Sequence, residues 1–150
     1  MRRRTTGGNR ARTGHAILEL AILVPALMLF LFGAADFGRI FYASMEVANA
    51  AAAGAIYGAQ TVGTAKNLSR IQQAARNEAQ DLKASSLSVT ASQFCQCSDG
   101  SSVPCSGSCA SGRVELYVSV TATYPFQTLV NYPGIPSQTT ISKTSVMRVQ

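Results

Sequence analysis

The sequence predicts an α+β fold: an N-terminal transmembrane helix, extended into an amphipathic helix, that packs on a small antiparallel sheet. Three observations predict it. An uncharged apolar run fills residues 20–35 behind an arginine-rich start. Helical text without a proline then covers residues 37–84. Beyond it, three runs of alternating β-branched and polar residues are separated by Gly-, Ser- and Pro-rich stretches.

The start of the chain carries a topology signal. The formal charge is +6, which by itself could suggest nucleic acid. Its distribution argues otherwise. Arg2, Arg3, Arg4, Arg10 and Arg12 stand before residue 13 with no acid among them, and the remaining eight basic residues face seven acids. Such a basic flag beside an apolar run is how membrane orientation is encoded. Nucleic acid is therefore not an expected partner. Only 13 % of residues are charged, about half the share of an ordinary soluble enzyme.

The apolar run reads LAILVPALMLFLFGAA over residues 20–35. Extended back to His15 it is about 30 Å long as a helix, the thickness of a bilayer's hydrocarbon core. A lone segment can satisfy its backbone in lipid only as a helix. Pro25 removes one backbone donor and is compatible with a kink. The arginines before the span and Asp36 after it place residues 1–14 in the cytoplasm and the C-terminal region outside. Three regions are expected: a basic leader (1–14), a transmembrane helix (15–35) and an exported α+β domain (36–150).

Residues 37–84 read as helix, continuous with the span or broken near Gly63. Ala48, Ala50, Ala51, Ala52, Ala53 and Ala55, with Gly54 and Gly58, make a smooth surface for close helix approach. It could pack on the protein's own sheet or on a neighbouring subunit. Further along, Leu68, Ile71, Ala75 and Leu82 form an apolar stripe, with Lys66, Arg70, Arg76, Asp81 and Lys83 off it.

The strands follow. Residues 87–91 form a short alternating run, 113–124 a long one, and 139–149 a third. In the long run Val114, Leu116, Val118 and Val120 share one face, and Glu115, Tyr117, Ser119 and Thr121 the other. Pro125 and the stretch 132–136 (YPGIP) read as loop.

Cys95, Cys97, Cys105 and Cys109 fall in a Ser/Gly-rich segment (95–109) that reads as a loop between strands. A tetrathiolate zinc site prefers two pairs, each usually spaced by two residues. The gaps here are one and three. Outside the cytoplasm an even count points to two disulfides, with three pairings open. No catalytic set can be assembled: the only histidine is His15, and no phosphate loop or carboxylate pair stands out. Neither enzyme activity, nor a metal, nor a cofactor is expected.

Glu19 is the most informative residue. An acid inside an apolar segment is costly and usually functional. It stands five residues after Gly14, at the head of the apolar run. This string, Gly14-His15-Ala16-Ile17-Leu18-Glu19, resembles the processing site of type IV prepilins and pseudopilins. The run Glu19-Leu20-Ala21-Ile22-Leu23-Val24-Pro25 is similar to the start of TadE-like proteins, minor pseudopilins of the tight-adherence (Flp) pilus system. Gly33, Asp36, Phe37, Gly38, Arg39 and the alanine-rich helix continue the likeness. Leu20, where members commonly have Phe, and Ile56, where many have Arg, depart from it.

The resemblance implies cleavage after Gly14 by a membrane-embedded prepilin peptidase. That cut would free an α-amino group at His15 and make Glu19 the fifth residue of the mature chain. The carboxylate could then pair with its own or a neighbour's ammonium, offsetting the cost of burying each charge. The implied partners are other pseudopilins, the pilus assembly platform with its ATPase, and the bilayer. The implied location is the inner membrane, single-pass, with the C-terminal domain periplasmic or extracellular. Two alternatives remain open: a secreted disulfide-bonded binding protein released by signal peptidase near Ala35, and an unprocessed membrane anchor.

Overall fold

The computed structural model describes residues 10–150, with side chains from Ala16 onward. Residues 1–9 of the expected leader lie outside the described residues. The elements run α1 (Arg10–Ala59), α2 (Val62–Lys66), α3 (Leu68–Glu78), β1 (Ser88–Cys97), β2 (Ser102–Val103), β3 (Val114–Gln127) and β4 (Gln138–Arg148). The fold is α+β. The chain divides into two compact units, Met1–Gly38 and Arg39–Gln150, and α1 contributes to both.

In the first unit α1 presents apolar side chains all round. Ile17, Leu20, Leu23, Leu29, Phe30 and Leu31 are each more than half exposed. A helix that is apolar on every side belongs in a core or in lipid. Among the described residues one helix is long and apolar enough to cross a membrane, within Ala16–Ala59.

In the second unit four antiparallel strands lie in the order β2-β1-β3-β4. The long strand β3 is central, paired with β1 from Ser88↔Thr123 to Cys97↔Val114 and with β4 from Tyr117↔Arg148 to Gln127↔Gln138. Its core face is the expected one: Val118 and Val120 are fully buried, and Ala122 and Phe126 continue the row. The opposite face is a polar carpet, with hydroxyl pairs Thr121–Thr144 (2.8 Å) and Thr123–Ser142 (3.2 Å) bridging β3 and β4.

The small residues of α1 pack against this unit's own sheet and α3. Val47, Ala50, Ala51 and Ala55 are buried with Ile71, Ala75, Val118 and Val120. A Cβ on Gly54 would stand 3.1 Å from both Ala75 Cβ and Val120 Cγ1. One on Gly58 would stand 2.9 Å from Ile71 Cδ1 and Val118 Cγ1. Absent side chains at these two positions let the helix settle on the sheet.

Several expectations are corrected. The helix expected over 37–84 runs on from the span to Ala59 and breaks near Gly63, at residues 60–61, but two further helices follow and the last ends at Glu78. The breaks fall where side chains cap helix starts. Thr61 and Thr64 form a reciprocal capping box (3.1 and 3.0 Å), and Asn67 accepts from the Arg70 N–H (3.1 Å). Helical structure ends at Glu78, so Leu82 reaches the core from a turn, while Leu68 remains 36 % exposed. The sheet has four strands, not three. Cys95 and Cys97 belong to β1, and β2 lies inside the segment expected to be loop. Pro125 lies within β3, opposite Thr140. Past Thr123 β3 has only β4 beside it, and an open edge tolerates a residue without an N–H.

Packing contacts give the second unit two distinct ends. At one, the Arg39 guanidinium lies 5.3 Å from the Phe126 ring centroid, where β3 finishes. At the other, the Gln150 N–H donates to the Ala59 carbonyl (3.0 Å) and the Val149 N–H to Leu116 (2.8 Å). Residues 39–59 of α1 therefore run antiparallel to β3. At about 3.3 Å per residue the ten residue steps of β3 from Phe126 to Leu116 separate these ends by about 33 Å.

Candidate functional site

Two regions hold the residues that the sequence singled out. The first is the head of α1. Gly14 and His15 have helical backbone, but their side chains lie outside those described. Glu19 is exposed on α1, flanked by Leu18 and Leu20, each about 60 % exposed. At the foot of the apolar run, Asp36 is buried.

The second is the end of the sheet remote from Arg39. There Cys95 is joined to Cys105 and Cys97 to Cys109. Cys95 and Cys97 alternate along β1, so both sulfurs leave the same core-side face. The two bonds fasten the segment after β1 back onto that strand. This segment has almost no apolar core of its own, its residues being mostly exposed Ser, Gly and Pro. Hydrogen bonds complete it: Asp99 accepts from the Ser101 N–H (2.9 Å) and hydroxyl (2.6 Å). Those donors, the hydroxyl first, hold the Asp99 carboxyl below its ordinary pKa. Among the described residues no group of three His, Cys, Asp or Glu could hold a metal ion.

Beside this loop lies a charged cluster that sequence reasoning did not assemble. Glu115 receives Arg148 Nη1 at 3.0 Å and the Tyr117 hydroxyl at 3.0 Å, with Arg113 Nε at 3.6 Å. The Tyr117 bond first, then the two arginines, lower the Glu115 pKa, and the same carboxylate raises that of Tyr117. Phe94 stacks on Tyr117 with ring centroids 5.3 Å apart. Alternation placed Glu115 and Tyr117 on one face, but the partner Arg148 comes from β4 and only strand register brings it near. With Val62, Leu116 and Val149 the two arginines line an open cleft of about 370 Å³. The cluster satisfies its own charges and contains no activated nucleophile.

The geometry therefore offers an apolar helix headed by one carboxylate and a disulfide-fastened polar loop at the far end of a small sheet. A family model described as TadE-like protein matches residues 14–55, from the glycine before His15 through the alanine-rich part of α1. The match includes Glu19 and ends before α2. No curated protein and no solved structure matches the chain.

Proposed function

We propose that this chain is a membrane-anchored minor pseudopilin that contributes to assembly of a tight-adherence (Flp-type) pilus. The observation that carries this reading is Glu19, a carboxylate five residues after Gly14 at the head of an apolar helix, inside the stretch similar to TadE-like proteins. Residues 1–14 are then a cytoplasmic leader removed by prepilin peptidase, residues 15–35 the span, and residues 36–150 the exported domain. Once cut, the His15 ammonium and the Glu19 carboxylate lie one turn apart on one helix, close enough to pair within a subunit or between neighbours. Other pseudopilins and the assembly platform are the partners on this reading, and the chain is given no reaction of its own.

Two disulfides in the exported part also suit a secreted binding protein released near Ala35. N-terminal sequencing of the mature protein separates the readings. A start at His15 supports the pseudopilin, a start near Asp36 the secreted protein, and an intact Met1 a plain anchor. A second test is Glu19→Ala: piliation at the wild-type level in that variant would remove the assembly role given to the acid.

A further inference from the structure

The β3–β4 connection, residues 128–137, carries apolar side chains that the fold does not cover. Leu129 is 57 % exposed, Val130 37 % and Ile135 60 %. Its ends are held together by the Thr128 N–H donating to the Ser137 carbonyl (3.0 Å). Its tip is a Tyr132-Pro133-Gly134-Ile135 turn, with the Ile135 N–H on the Tyr132 carbonyl (3.2 Å) and Gly134 at φ +81°. Proline at the second position and glycine with positive φ at the third define a type II turn, a stiff one. No charged residue occurs between Glu115 and Lys143. The loop is thus firm, uncharged and apolar at its surface, which is unusual for a loop facing water.

Its position indicates what covers it. The loop continues from the strand end that holds Phe126, and Phe126 lies against Arg39. Arg39 is four residues beyond Ala35, about 6 Å along a helix. Phe41, in the next turn, is 59 % exposed. The charged and disulfide-linked end of the unit lies about 40 Å away along β3. We propose that the β3–β4 loop is a second membrane contact, its Leu129, Val130 and Ile135 side chains entering the headgroup–acyl boundary of the bilayer that residues 15–35 cross. Tyr132 and Arg39 suit the adjoining headgroup layer, where amphipathic rings and cations collect. This rests on the reading of 15–35 as a span.

The test uses the full chain reconstituted in phosphatidylcholine–phosphatidylglycerol vesicles. The four native cysteines are disulfide-bonded, so Ile135→Cys supplies one free thiol for an environment-sensitive fluorophore, and Gln60→Cys supplies a control at the far end. The expected result is a blue-shifted emission at position 135 that loses most of its intensity to lipids carrying a shallow quencher, with an aqueous, unquenched signal at position 60. A protein that floats with the vesicles while position 135 stays aqueous overturns the loop contact and leaves the span intact. A blue shift without lipid quenching places the loop against protein rather than lipid and overturns the proposal, as does equal quenching at both positions. A protein that does not float overturns loop contact and span together.

Discussion

Tyr42 on α1 donates its hydroxyl to Asp81 Oδ2 at 2.6 Å, across thirty-nine residues of sequence. The bond fastens the turn after α3 to α1 within the second unit. It also stabilises the protonated phenol: hydrogen bonding to Asp81 first, then desolvation and the nearby carboxylates, push the Tyr42 pKa up to about 12.

A pKa raised in the folded state contributes stability that is complete below the unfolded value and disappears as pH rises through the folded one. The Tyr42 contribution should therefore be full at neutral pH and vanish between about pH 10 and about 12. In a tyrosinate absorbance titration the last ionisation step should disappear in Tyr42→Phe. Persistence of that step would reassign it to another tyrosine.

Each disulfide closes a short loop, with sequence separations of 10 and 12. Loop-closure entropy for rings of this size gives a stabilisation of about 2–3 kcal/mol per bond. Paired replacement of Cys95 and Cys105 by Ser should lower unfolding stability by that amount in urea titrations. Peptide mapping without reduction should return the 95–105 and 97–109 pairs.

Gly58 and Gly63 should respond in opposite ways to an added side chain. At Gly58 a Cβ would press on Ile71 and Val118 at 2.9 Å, so Gly58→Val should cost about 1–3 kcal/mol through overpacking. At Gly63 it would meet only Thr61 Oγ1 at 3.6 Å, so Gly63→Ala should stabilise α2 by about 0.5–1 kcal/mol. Thermal unfolding of the two variants in parallel would check both signs.

Lys143 pairs with Ala122, which places it on the core side of β4. β4 is the sheet's outer strand, and an exposed lysine on the core-side face of such a strand discourages pairing with another chain. Lys143→Val should increase self-association, read by light scattering of the detergent-solubilised protein, with little loss of unfolding stability. Unchanged association would leave Lys143 without this role.

The fold class was legible because its signals are local. The apolar run needs only composition, and the alternation of Val118 and Val120 needs only a period of two. What escaped depends on competition or on distance. Gly63 marked the neighbourhood of the first break, but the residues that make the breaks are Thr61 and Asn67, which offer the backbone better partners. Ser- and Gly-rich text around four cysteines read as loop, yet Cys95 and Cys97 extend β1 because Leu116 and Val114 pair with them. Pro125 reads as a strand terminator unless the strand's open edge is known. Pairing among four cysteines and the meeting of Glu115 with Arg148 depend on strand register, which no single stretch of sequence carries.

The antiparallel run of α1 against β3 has a mechanical consequence. A pull between Arg39 and the disulfide-linked loop acts lengthwise along β1 and β3. The loop leaves β1 and β3 at the same end, beside the Cys97↔Val114 pair, so such a pull loads both strands together and is opposed where α1 packs on the sheet. Two covalent links pass the force from the loop directly into β1. Within the second unit the loop is thus tied covalently to the strand that carries its load.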